Sequence, residues 1–116
     1  MGSDNVMDTE SSDDADWTGR FVGEPTLLVR PGSTVEVAEV VAVARRSRVS
    51  LVPRGGNTGL VGGSISRGRS ILVSTSRLRN TGTIDPLTRQ VTVGAGVTLH
   101  DIQEQALSFG LRYPVD

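Results

Sequence analysis

Cysteine and lysine are both missing from the 116 residues. Without a thiol there is no disulfide, no thiolate nucleophile and no cysteine-ligated metal. The single histidine, His100, reads as a helix-face residue, so neither a metal site nor a catalytic side chain is nominated. Without lysine the Gly-Lys-Ser/Thr signature of a P-loop cannot occur, which removes the groups that reach terminal phosphates and magnesium in nucleoside-triphosphate chemistry. Only four aromatic residues occur, none interleaved with a basic patch, so a base-stacking platform for nucleic acid is excluded. No apolar run approaches the ~18 residues of a transmembrane helix. The acidic N-terminus also lacks the positive-then-apolar order of a secretory signal, and the expected location is cytoplasmic.

Charge divides the chain. Residues 1–16 carry six of the thirteen acids and no base, and they read as a disordered acidic tail with too little apolar surface to offset ordering. Residues 17–116 then hold seven acids against twelve arginines, a balance that favours an anionic ligand. Within this stretch Trp17 and Phe21 read as packing anchors over a first strand. The length fits one domain, or part of one.

An α+β order follows along the chain. Thr26–Arg30 reads as a strand stopped by Pro31-Gly32. Ser33 with Glu36 forms a capping-box pattern, and Val37, Val40, Val41 and Ala44 recur at helical spacing behind it. Strands are expected over Val49–Val52 and Ser70–Ser74. The first strand, helix and second strand imply a crossover with a parallel pair. Farther on, Asp85-Pro86 opens a hairpin into Gln90–Val93. A second helix is capped by Thr98 with Asp101, buries Leu99, Ile102, Ala106 and Leu107, and stops at Gly110. Gly94-Ala95-Gly96 sits between strand and helix like a dinucleotide fingerprint. Leu99, however, stands at the third glycine position, and a tight structural connection is the favoured reading.

The stretch from Pro53 to Ser64 packs five glycines into twelve residues between two apolar runs. Glycine lets successive N–H groups converge on one concavity and lets a ligand approach the backbone. A phosphate cradle is therefore weighed against a flexible hairpin loop, with the Thr58 and Ser64 hydroxyls, the Asn57 amide and the Arg54 charge as assistants.

Pro53-Arg54-Gly55-Gly56-Asn57-Thr58-Gly59-Leu60-Val61-Gly62-Gly63-Ser64 closely resembles the pyrophosphate loop of FAD-linked oxidases of the vanillyl-alcohol oxidase and para-cresol methylhydroxylase superfamily. The nearest branch holds D-lactate, glycolate and D-2-hydroxyglutarate dehydrogenases. Further likeness runs through Trp17-Thr18-Gly19, Val29-Arg30-Pro31, Gly94 to Leu99, Gly110-Leu111 and Pro114-Val115-Asp116. The resemblance implies the first subdomain of a PCMH-type FAD-binding domain, a small mixed parallel and antiparallel sheet with two helices. It also implies that a second subdomain and a substrate-binding cap are absent from this stretch. By position, Pro53, Arg54, Gly55, Gly56, Asn57, Thr58, Gly59, Leu60, Gly62, Gly63 and Ser64 would surround the diphosphate of FAD. Pro114 and Asp116 would open a second contact. Relatives with covalent FAD carry histidine where Asn57 stands, so the cofactor is expected to be noncovalent.

The expected function is the cofactor-binding part of a flavin enzyme that oxidises a small 2-hydroxy acid. The alternatives are a noncatalytic nucleotide- or phosphate-binding module, or a related FAD enzyme such as an enolpyruvyl-sugar reductase or aldose oxidase.

Overall fold

Ile71, Leu72 and Val73 are consecutive apolar residues, two of them β-branched, and such a run is stable only where both faces are covered. In the computed structural model, which describes residues 2–8, 18–25 and 27–115, this run lies inside a sheet and Leu72 is fully buried. The chain forms two compact units, Met1–Arg77 and Leu78–Asp116.

The first unit contains strands β1 (Val6–Asp8), β2 (Leu27–Val29), β3 (Ser50–Arg54) and β4 (Ser70–Ser74), with helix α1 (Thr34–Ser47) between β2 and β3. Sheet order is β1-β2-β4-β3, with β1 antiparallel to β2 and the other neighbours parallel. Leu72 stands opposite Leu28 on one side and Val52 on the other. The parallel relation expected across the first crossover is present, but β2 and β3 are not neighbours. The more apolar β4 takes the place between them, where its side chains are covered best.

Two expectations about this unit are corrected. Part of the stretch read as a disordered tail is a strand: Val6, Met7 and Asp8 pair with Val29, Leu28 and Leu27. The open edge of β2 offers unpaired backbone groups, and Val6-Met7 supplies the strand-forming side chains to meet them. Residues 1 and 9–16 of that stretch, with Trp17, Thr26 and Asp116, lie outside the described residues. Pro53 and Arg54, placed at the start of a loop by sequence, belong to β3 opposite Val73 and Ser74. The Arg54 carbonyl accepts from Thr75 N at 3.0 Å and so faces β4. By strand alternation the missing N–H of Pro53 then falls on the open edge, where proline removes no ladder bond.

Helix α1 starts where the capping pattern put it. Ser33 Oγ accepts from Glu36 N at 3.2 Å, while Glu36 Oε2 reaches one residue farther back than a regular box and accepts from Gly32 N at 2.7 Å. That bond is the main reason the Glu36 carboxyl lies below its ordinary pKa. Arg77 lies against Gly32 and donates to the Arg30 carbonyl at 2.7 Å, which fastens the turn before the helix. Of the expected buried stripe, Ala44 is buried, Val37 and Val40 are half-buried, and Val41 is exposed.

In the second unit the expected hairpin forms through bridges between Thr81 and Val93 and between Asp85 and Gln90. Asp85 Oδ1 accepts from Leu87 N and Thr88 N, an Asx turn that lowers the Asp85 pKa. Helix α2 (Leu99–Ser108) has the complete capping box, with Asp101 N donating to Thr98 Oγ1 at 3.1 Å and Thr98 N donating to Asp101 Oδ2 at 3.2 Å. Gly110, at φ +68°, ends it. Gln105 Nε2 donates to the Gly82 carbonyl at 2.8 Å and ties α2 to the hairpin. Ile84 and Ala106 are buried, whereas Leu107, expected inside, is exposed.

Candidate functional site

Because β3 and β4 run parallel, residues 55–69 cannot be a hairpin. The chain must return from the C-terminal end of β3 to the start of β4, a job usually done by a crossover helix of a dozen or more residues. Here a glycine-rich loop does it, and it leaves the sheet at the carboxyl end of a parallel strand, where ligands of α/β folds collect.

The loop has a fixed base and an open rim. Ile65 and Ser66 are buried, and Ile65 N donates to the Gly62 carbonyl at 3.2 Å. Ser64 Oγ donates to Asn57 Oδ1 at 2.7 Å, and the Arg54 guanidinium donates to the Ser64 carbonyl at 3.2 Å. Arg54, Asn57 and Ser64 are thus brought together across the neck of the loop. Asn57 tolerates φ +55° because its short amide suits the left-handed region. Burial draws the Arg54 pKa down from its ordinary value, but a guanidinium keeps its charge in a protein. The Ser64 proton is spent within the loop. Gly55, Gly56, Thr58, Gly59, Leu60, Val61 and Gly63 are exposed along the rim.

Each glycine of the loop can be asked why it is glycine. Gly62 has internal reasons: its φ is +69°, and a Cβ there would lie 2.8 Å from Phe21 Cγ. Gly55, Gly56, Gly59 and Gly63 have neither reason. None has a left-handed φ; among the described residues a Cβ on Gly55, Gly59 or Gly63 would meet nothing within 4 Å, and one on Gly56 would meet only the Thr58 methyl at 3.9 Å. A glycine in a conformation alanine can adopt costs about 0.4–1 kcal/mol through the freedom of the unfolded chain. Among the described residues, nothing in the backbone conformation or packing calls for glycine at these four positions. Backbone N–H groups on an open rim, with a cation at the neck, fit a diphosphate.

The remaining candidates fare differently. Pro114 is exposed in the second unit, and Asp116 lies outside the described residues. Gly94 is no phosphate glycine, since a Cβ on it would collide with the Leu78 carbonyl. His100 is exposed on α2, 3.5 Å from Glu104. Phe21 was expected over the first strand, but its ring lies on Gly62 in the loop. Only the order aromatic-then-strand was legible for it. Among the described residues no cluster of three or more His, Cys, Asp or Glu side chains is placed to hold a metal, and no helix is long and apolar enough to cross a membrane.

Comparison with known proteins identifies the family. The sequence model of a family described as FAD binding domain matches residues 25–116. A D-2-hydroxyglutarate dehydrogenase of Xanthomonas citri pv. viticola is 39% identical over 101 residues, covering 87% of this chain and 21% of that protein. A D-lactate dehydrogenase of Anaerostipes hadrus is 36% identical over 92 residues, covering 79% of this chain and 19% of that protein. The chain spans about a fifth of the length of such curated relatives. Among solved structures, 6-hydroxy-D-nicotine oxidase from Arthrobacter nicotinovorans superposes with a TM-score of 0.78 at 25% identity, covering 92% of this chain and 24% of that one. An alkyldihydroxyacetonephosphate synthase shares the fold with a TM-score of 0.78 at 20% identity, covering 95% of this chain and 23% of that one.

Proposed function

We propose, from the premise that this chain belongs to the FAD binding domain family, that its glycine loop holds the FAD diphosphate in a flavoenzyme that oxidises a small 2-hydroxy acid. The fold is the first subdomain of a PCMH-type FAD-binding domain, a small mixed sheet with two helices. The observation that carries the site is the set of four exposed glycines whose backbone conformation and internal packing do not require glycine.

In this reading Gly55, Gly56, Gly59 and Gly63 let backbone N–H groups close on the diphosphate, and Thr58 adds a hydroxyl at the rim. Arg54, held to the Ser64 carbonyl, sets positive charge at the neck, and the bond from Ser64 to Asn57 keeps the neck closed. Pro53 ends the strand that aims the loop. Leu60 is 62% exposed on the rim and would cover apolar parts of the ligand. Pro114 and Asp116 are proposed as a second contact. Attachment is noncovalent, because an amide at Asn57 has no ring nitrogen to join to the flavin. When bound, FAD supplies a two-electron acceptor; the chain supplies position and electrostatics. The 2-hydroxy-acid substrate class rests on the names of the relatives, D-2-hydroxyglutarate dehydrogenase and D-lactate dehydrogenase.

The test is purification of the intact protein with a flavin absorption spectrum before and after acid precipitation. A stoichiometric flavin released into the supernatant supports noncovalent FAD, and flavin that stays with the pellet overturns it. Gly56→Val should abolish retention; retention equal to wild type would remove the loop from the diphosphate site and favour a noncatalytic role for this stretch.

A further inference from the structure

The glycine that does have an internal reason points to a residue outside the loop. A Cβ on Gly62 would lie 2.8 Å from Phe21 Cγ and 3.1 Å from both Cδ atoms, so the ring is laid directly on the bare backbone. Phe21 is 40% exposed, which leaves it little weight as a core residue. What its ring covers is the pivot of the loop. Residues 58–61 before Gly62 and Gly63 after it are exposed, and the chain then enters the interior at Ile65 and Ser66. The neck bonds among Arg54, Asn57 and Ser64 close the other end of the same turn. The left-handed turn at Gly62 sets how the exposed segment before it is oriented relative to the buried anchor after it.

We propose that Phe21 is a positioning residue for the cofactor loop: its ring holds Gly62 in the left-handed conformation and presets the rim before the ligand arrives. The proposal rests on the reading of that rim as the diphosphate site. Its effect is one of population. Ligand affinity falls in proportion to the fraction of chains whose loop is already in the binding arrangement. If removing the ring leaves about a tenth of the loops competent, apparent affinity drops about tenfold. The residue need not touch the ligand to produce this.

The experiment uses the intact protein with Phe21→Ala, Phe21→Tyr, Phe21→Leu, Gly62→Ala and the Phe21→Ala/Gly62→Ala double variant. Amide hydrogen exchange over residues 55–64 is measured in cofactor-stripped protein, and FAD affinity is measured by titration. Phe21→Ala should raise exchange in the loop several-fold and weaken FAD about tenfold while the amides of β4 stay protected. Phe21→Tyr should restore both. Because a methyl on Gly62 meets the ring itself, the two alanine variants should combine to less than the product of their separate effects.

Wild-type loop exchange in Phe21→Ala, or multiplicative losses in the double variant, would overturn the proposal. If Phe21→Ala unfolds the protein, seen as lost protection in β4, the leucine variant decides: loop exchange equal to wild type overturns the role of the ring, and faster exchange supports it. Gly56→Val separates the two ideas. Normal FAD binding in that variant refutes the diphosphate site, whereas loss there with unchanged loop exchange and affinity in Phe21→Ala refutes only the role of Phe21.

Discussion

Alanine substitution along the loop should split stability from binding. At Gly59 and Gly63 the added methyl meets none of the described residues within 4 Å and no left-handed φ opposes it. Cofactor-free protein carrying Gly59→Ala or Gly63→Ala should be as stable as wild type, or more stable by about 0.4–1 kcal/mol, because alanine restricts the unfolded chain. If these positions face a diphosphate, the same methyl holds phosphate oxygens away from the backbone. Loss of one hydrogen bond to a charged group is worth about 1.5–3 kcal/mol. That converts to FAD binding roughly 10–150-fold weaker. Gly62→Ala should behave in the opposite way. There alanine meets left-handed strain of about 1–2 kcal/mol and overpacking against Phe21 of about 1–3 kcal/mol, so stability falls by about 2–5 kcal/mol before any ligand is added. Thermal melts with and without FAD, together with fluorescence titration, read both quantities on each variant of the intact protein. Unchanged FAD affinity in Gly59→Ala and Gly63→Ala would refute the reasoning, and so would a loss of cofactor-free stability matching that of Gly62→Ala.

Other outcomes follow from the local chemistry. Asn57→Ala should destabilise more than Asn57→Gly, by about 1 kcal/mol, because both lose the bond from Ser64 but only alanine meets left-handed strain; denaturant melts compare them. Thr98→Ala removes the hydroxyl half of the α2 capping box and should cost about 1 kcal/mol by the same measurement. Asp85 and Asp101 both titrate below their ordinary value, Asp85 chiefly through the Leu87 N–H and Asp101 chiefly through Thr98. A depressed folded pKa gives stability that is present above the unfolded pKa of about 4 and is lost as pH falls through the folded value. Melting temperature should therefore fall below about pH 4, and Asp101→Asn should flatten part of that fall.

Much of the fold is legible in the local sequence. The caps of both helices, at Ser33 and Thr98, rest on side chains that reach backbone three residues away, and such contacts are written in local sequence. Ser70–Ser74 was legible because its short continuous apolar run, rich in β-branched residues, reads as a strand covered on both faces. What failed was non-local. Val41 and Leu107 fit the helical stripe yet are exposed, because spacing defines a face without stating how much of it a neighbour covers. Val6–Asp8 is a strand only because the edge of β2 is there to receive it. The tight connection favoured at Gly94 is present, but only the fold shows the atom that demands glycine there, the Leu78 carbonyl sixteen positions away.

The glycine loop divides along the same line. Sequence alone determined which residues compose it, that lysine-dependent triphosphate chemistry is closed to it, and that an asparagine follows its first pair of glycines. Tertiary structure decided that it is a crossover between parallel strands and no hairpin, that Arg54, Asn57 and Ser64 meet at its neck, and that Phe21 lies on Gly62. It also decided which glycines the chain itself needs and which face outward. The physical reason is that a glycine's purpose is set by what would strike its missing side chain, and those atoms come from parts of the chain that only folding brings near.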